Sequence, residues 1–329
     1  MTNLEAARSG KELIDATRPF ANEDRALSRR KLLSTIALLV GASALAMRVT
    51  WWPLRLVVST IAALLSVRTF ILFHDYHHGA ILRKSWVGRG LLFAYGMLWL
   101  SPPTVWRQTH NYHHAHAAKL VGSHVGSFPM VTVAMWNAMT RRQRLAYRIV
   151  RSPMTMALGY LTVFVWGMCL SPLFRAPRKH WDAALALVAH VGALVLLTKL
   201  LGVGACFFGY LLPLILATAL GSYLFYAQHN FPGIHVQPRE SWSYTRAALE
   251  SSSYLETGPV MGWFTGNIGY HHVHHLNPQI PFYRLPEAMA SIAELQHPAR
   301  TALSLPAIAA CLRLDLWDPV AGQMIESTL

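Results

Sequence analysis

The chain has 329 residues, of which 53% are hydrophobic and only 13% charged, with a mean hydropathy of +0.30. Soluble domains carry about 25% charged residues, so the composition excludes an ordinary soluble protein and points to an integral membrane one. The net charge of +14 does not indicate a nucleic-acid binder, because Lys and Arg form no single stripe and instead flank apolar runs.

Residues 1–31 are polar, of mixed charge, and read as a cytosolic leader. Apolar runs follow at 32–48 and 51–73, with Arg29, Arg30 and Lys31 ahead of the first. Ser28-Arg29-Arg30-Lys31 imitates a twin-arginine export signal, and Ala44-Leu45-Ala46 imitates a cleavage site. A second apolar run so soon afterwards favours a helical hairpin with a cytosolic N-terminus. That run leads directly into His74-Asp75-Tyr76-His77-His78, and Arg83, Lys84 and Arg89 come next.

The run at 90–101 ends in Ser101-Pro102-Pro103. A crossing needs roughly 20 residues, so an interfacial or re-entrant segment is expected there. His110-Asn111-Tyr112-His113-His114 follows, then a polar stretch at 119–152 containing Arg141, Arg142, Arg144, Arg148 and Arg151. Further apolar runs cover 154–173, 183–201 and 203–228, and the last ends at Gln228-His229-Asn230. A soluble-looking segment at 239–256 precedes His271-His272-Val273-His274-His275. The tail after 283 reads as one or two amphipathic helices broken at Pro298 and Pro306.

The three boxes hold most of the 17 histidines. Neutral imidazole is the commonest metal ligand, and ionisable groups at membrane ends call for a use. A site shared by all three boxes requires them on one membrane face, yet three apolar runs separate the second box from the third. One run must fail to cross, or two must share a broken helix; 154–173, bracketed by Pro153 and Pro172, is the run expected not to cross. The fold expected is all-α: a polytopic membrane helical bundle with a cytosolic helical cap. It divides into a leader (1–31), a membrane body with the three boxes (32–282) and a C-terminal helical tail (283–329).

Residues at i, i+3 and i+4 share a helix face. His74 and His78 are an i, i+4 pair, while His110/His113/His114 and His271/His274/His275 follow i, i+3, i+4. With His229 these make nine candidate ligands, too many for one metal and suited to two. A nitrogen-rich, carboxylate-poor set fits iron best, although ligand softness alone admits zinc or copper. His77 and His272 fall off the shared face. Asp75 can fix a His74 tautomer, and Asn267, four residues before His271, can hold a metal-bound water. His116 and His124 read as surface or supporting residues, and His180, His190, His235 and His297 as bland. Cys169, Cys206 and Cys311 are far apart with no CxxC, which argues against disulfides and thiolate metal sites. The zinc-protease pattern HExxH is absent.

These residues resemble the membrane fatty acid desaturases with histidine boxes, over nearly the whole chain. The family pattern HxxxH, HxxHH, HxxHH falls on His74/His78, His110/His113/His114 and His271/His274/His275, and its additional histidine on His229. The stretch from Trp263 to Pro278, and Ser127-Phe128-Pro129-Met130 with the later Arg-Gln-Arg-Leu at 142–145, look like the bacterial acyl-lipid Δ12 (omega-6) branch. One departure is His77, where that branch usually has Gly.

The resemblance implies a di-iron centre that activates O2 and desaturates an acyl chain, in a bacterial inner membrane with the boxes on the cytosolic face. It implies a lipid-linked acyl substrate held in a hydrophobic tunnel. No nucleotide, flavin or haem motif is visible, so electrons would come from an external carrier such as an acidic ferredoxin. Other histidine-box oxygenases (carotenoid ketolases or hydroxylases, acyl or alkane hydroxylases) are the nearest alternative. A membrane zinc hydrolase of lipid amides and a non-catalytic lipid- or metal-binding protein are further ones.

Overall fold

The structure is a computed structural model that describes residues 8–120 and 125–327. His124 lies outside the described residues. Among the described residues four helices are long and apolar enough to cross a membrane: Arg25–Arg48, Trp52–His78, Trp181–Leu201 and Val203–Ala227.

The first span starts well before its apolar run because Asp24 caps it, accepting a hydrogen bond from Leu27 N at 2.9 Å. The leader boundary at 31 therefore falls inside a helix. The second span opens on Pro53 and runs without a break through the first histidine box. It stops at Gly79, whose φ of 71° is a left-handed conformation that suits glycine. These two helices pack together as the expected hairpin.

The 90–101 run forms the short helix Trp86–Leu98. The apolar helix Tyr160–Arg175 is also shorter than a span. Among the described residues two crossing-length helices then separate the second box from the third, as the parity argument requires. Tyr160–Leu170 is π-helical, as is Phe207–Leu211 just before Pro213. A proline inside a helix lacks the N–H for the regular ladder, and a locally wider turn relieves it.

Two corrections apply to the tail. Pro306 does not break a helix but begins one, Leu305–Arg313, capped by Ser304; proline is well tolerated at that position because its missing N–H has no partner there. The chain then ends in an antiparallel pair, Leu316–Asp318 with Gln323–Ile325, and Val131–Thr132 joins that pair in parallel. A second small parallel pair joins Tyr254–Glu256 to Arg300–Ala302.

Leader and tail meet over the third box. Asn277 donates to Thr17 Oγ1 at 2.8 Å, Arg284 to the carbonyls of Pro19 and Asn22, and Arg8 grips Glu294 through two side-chain bonds. The largest core lies beneath, joining Leu13 of the leader, Leu72 and Phe73 of the second span, and Val273, Leu276 and Phe282 around the third box.

Candidate metal centre

Box one occupies the last turn of the second span, which puts His74 and His78 on one face. Box two lies on Pro103–His116. Thr104 anchors the start of that helix, donating its N–H to Asp182 Oδ2 at 2.8 Å, with His180 Nδ1 at 3.1 Å from its hydroxyl. Asp182 and His180 thus orient box two from the third span. Nothing in the sequence near them marks this role.

Box three is a six-residue helix, His271–Leu276, too short to hold itself. Its lead-in is held by the second span. Gly266 takes φ 54° with Ile71 against it, where a Cβ would come within 2.8 Å of Ile71 Cγ2. Asn267 also takes positive φ, and its amide donates to the Phe282 carbonyl at 3.3 Å. Asp75 accepts the Phe282 N–H at 2.7 Å.

The nine candidate ligands converge, and they do so as two groups. His74, His78, His110, His114 and His274 form one; His113, His229, His271 and His275 form the other. Within each group the ligand nitrogens all lie within 4.8 Å of one another. Both i, i+3, i+4 triplets are split. In box two the i and i+4 rings join the first group and His113 the second; in box three the i and i+4 rings join the second and His274 the first. Two short helices therefore each serve both groups and set the spacing between them.

The Nε2 atoms face one another. His110–His114 and His114–His274 are 3.1 Å apart in the first group. In the second, His113–His229 is 3.0 Å, His229–His271 2.9 Å and His271–His275 3.1 Å. Burial, then the charges of neighbouring imidazoles, holds His110, His114, His271, His274 and His275 well below the usual histidine range. His113 is lowered in the same way, by burial and then by His229. Burial pushes His229 down to about 4. The rings are neutral at physiological pH, so their lone pairs are available. Among the described residues His78 Nε2 is buried with no hydrogen-bond partner, which suits a metal-ligand atom. The donor set fits a metal site: clustered, neutral, buried nitrogens that a cation would satisfy together.

Two supporting contacts fix ring orientation. Asp75 Oδ1 lies 3.0 Å from His74 Nδ1, and His229 Nδ1 donates to the Ser251 carbonyl at 3.1 Å. Each leaves Nε2 facing its group. Trp106 stacks on His110 with centroids 4.4 Å apart. His77 stays out of both groups and meets the edge of Phe73 at 4.4 Å. His272 turns away, its Nε2 donating to the Leu295 carbonyl at 3.0 Å. His116 folds back on Tyr112, His190 sits between the Tyr160 and Tyr210 hydroxyls, His235 lies against Trp317, and His297 is exposed.

A cavity of about 720 Å³ reaches the first group at His110. Its walls include Val67 and Phe70 of the second span, Tyr95 and Trp99, Phe164, and Ala217 and Phe225. Leu161 and Trp166 line it while remaining more than half exposed, at 54% and 57%, so part of its wall is also apolar outer surface. The apolar runs before boxes one and three supply part of the wall. The 154–173 run supplies much of the rest, which periodicity does not reveal.

A membrane helical bundle with two buried histidine groups that can hold metal, beside an apolar cavity, defines the class. The fatty acid desaturase family matches residues 50–304, and the chain belongs to that family. It is 33% identical to a fatty acid desaturase of Bacillus subtilis (strain 168), over 99% of this chain and 93% of that protein. A fatty acid conjugase of Calendula officinalis is 23% identical over 68% of this chain and 64% of its own length. An acyl-lipid (8-3)-desaturase of Rebecca salina is 23% identical over 58% of this chain and 45% of its own length. The protein is a fatty acid desaturase, an oxidoreductase acting on an acyl substrate with O2, and its histidine clusters can hold metal.

Proposed function

We propose that the chain uses two iron ions to introduce a cis double bond into a long, lipid-linked acyl chain. The observation that carries this reading is His110, which belongs to one histidine group and also lines the apolar cavity. The ligands are His74, His78, His110, His114 and His274 for one ion, and His113, His229, His271 and His275 for the other. Imidazole donors without carboxylates suit iron among the metals that favour nitrogen. Once bound, the iron pair supplies oxygen activation and the attack on an unactivated C–H bond, which side-chain acids and bases cannot.

The protein's own part is position and dryness. The cavity walls hold the chain so that one C–C bond lies at His110, a gain of about 7–11 kcal/mol in favourable cases. In this reading a chain enters from the bilayer past Leu161 and Trp166. Overall, O2 takes two electrons and two protons from the substrate, and two electrons and two protons from outside, and leaves as two waters.

The outside electrons come from a separate acidic carrier of the ferredoxin kind. The helix Arg141–Arg151, with Arg141 and Arg142 exposed, offers it a basic surface. Turnover that falls steeply with ionic strength supports this docking; salt-independent reduction counts against it. The boxes face the cytosol of a bacterial inner membrane, a reading supported by Arg29, Arg30, Arg83 and Arg89 at the same ends of the spans as the boxes. The working body is 32–282, with leader 1–31 and tail 283–329 as the cytosolic cap over it.

The test is the fatty-acid profile of a heterologous host co-expressing an electron donor, with double bonds mapped by mass spectrometry and His113→Ala as control. A new unsaturated species absent from the control supports the proposal. An oxygenated product would move the assignment to a hydroxylase or ketolase.

A further inference from the structure

Of the five arginines on the helix Arg141–Arg151, only Arg151, its last residue, is buried, at 4% exposure. A buried guanidinium needs fixed acceptors, and Arg151 finds them on three other stretches of the chain. Its Nη1 donates to the Pro129 carbonyl at 2.6 Å. Its Nη2 donates to Asn230 Oδ1 at 2.5 Å, and to the Tyr226 hydroxyl and the Leu314 carbonyl at 3.0 Å each. Asn230 extends the cluster: its Nδ2 lies 2.8 Å from the Tyr226 hydroxyl, 2.7 Å from the Cys311 carbonyl and 2.8 Å from that of Leu314.

This cluster brackets His229. Among the nine candidate ligands His229 alone stands outside a helix, in the turn after the fourth span ends at Ala227. Within that turn its backbone N–H bonds the Tyr226 carbonyl at 3.1 Å. Yet its Nε2 is the hub of the second group, 3.0 Å from that of His113 and 2.9 Å from that of His271. Tyr226 and Asn230, three residues before it and one after, are the side chains that Arg151 grips, and both are buried. A cavity of about 20 Å³, room for about one water, is lined by Arg151, Asn230, His113 and His229 together. None of the four Arg151 bonds goes to an element that carries the first group.

We propose that Arg151 is the positioning residue of the second histidine group: its fork, bonded to Tyr226 and Asn230, sets the chain on both sides of His229 and so the place of its Nε2. The inference rests on reading His113, His229, His271 and His275 as the ligands of one ion. Ser251 fixes the rotation of the His229 ring through Nδ1, and Arg151 fixes where that ring is carried. The planar fork matters, because a lysine ammonium is a point charge that does not reproduce its spread of donors. The same fork bonds Pro129 and Leu314, so the segment after box two and the C-terminal tail are tied to this group as well.

The test counts iron and does not depend on turnover. The full-length protein is titrated anaerobically with Fe(II) and dialysed against a weak chelator; bound iron is measured, with the melting temperature of the metal-free form. Wild type should hold two ions. Arg151→Gln should hold one as tightly as wild type and bind the other about 10–100-fold more weakly, with Arg151→Lys in between. Combined with His113→Ala, which already lacks the second ion, Arg151→Gln should cost no further iron. Tyr226→Phe removes one acceptor at unchanged shape; it should fold and weaken the same site by about tenfold, and it decides the matter if Arg151→Gln does not fold. Arg148→Gln, whose guanidinium lies over the Trp136 ring at 5.0 Å, should keep both ions. Two tightly held ions in Arg151→Gln or Tyr226→Phe overturn the proposal. Equal weakening of both sites with a lower melting temperature makes Arg151 a structural residue only, and overturns it too. A wild type that never holds two ions overturns the two-ion reading and this inference with it.

Discussion

Asp75 joins His74 to the segment that follows the third box: one carboxylate oxygen lies 3.0 Å from His74 Nδ1, and the other accepts Phe282 N–H at 2.7 Å. One buried side chain thus orients a candidate ligand of box one and pins the segment after box three. Asp75→Ala should lower metal affinity by about 10–100-fold, the usual effect of losing an orienting carboxylate. Metal content after dialysis against a weak chelator checks this. Retention equal to wild type would leave Asp75 a purely structural residue.

The division of the ligands predicts a stoichiometry. His113→Ala removes one of four donors from the second group and leaves all five of the first. The purified variant should bind about one metal ion where wild type binds two, and lose desaturation. His274→Ala should mirror it from the other group. Full metal content and activity in either variant would falsify the ligand assignment. His297→Ala, on an exposed tail position, should behave as wild type.

Acid should destabilise the metal-free protein. Burial holds His229 and His272 near a pKa of about 4 in the folded chain, against an ordinary value of about 6.5 when unfolded. Between these values the unfolded state binds more protons, so stability rises with pH across that window. The contribution is complete above about pH 6.5 and is lost as pH falls towards about 4, by up to about 1.4 kcal/mol per pH unit for each ring. A melting temperature that stays flat between those limits would contradict neutral burial of both rings.

Gly221 lines the cavity, and a Cβ placed there would meet nothing within 4 Å. Gly221→Leu should therefore fold, retain its metal, and push a side chain into the acyl path. Product formation on long chains should drop by about 100-fold, since small displacements from the reacting geometry cost that much. Unchanged product yield and chain-length preference would show that the substrate does not pass this wall.

Much of this protein follows from local sequence. Helix periodicity alone makes His74/His78, His110/His114 and His271/His275 neighbours, and uninterrupted apolar length alone makes the spans. The all-α membrane fold and the nine clustered histidines are legible for that reason. Tertiary structure decided what depends on contacts far apart in the chain. It split each histidine triplet between two groups, because helices from distant parts of the sequence cross at the site. It turned His77 and His272 away from the metal groups, the one against Phe73 and the other against Leu295. It recruited Asp182, Phe282 and Trp106 as supports and built the cavity wall from Phe164 and Phe225. It also brought Lys31 and Arg68 to the ring of Phe282. Periodicity reports which residues share a face, whereas the partner of that face is set by packing between distant segments.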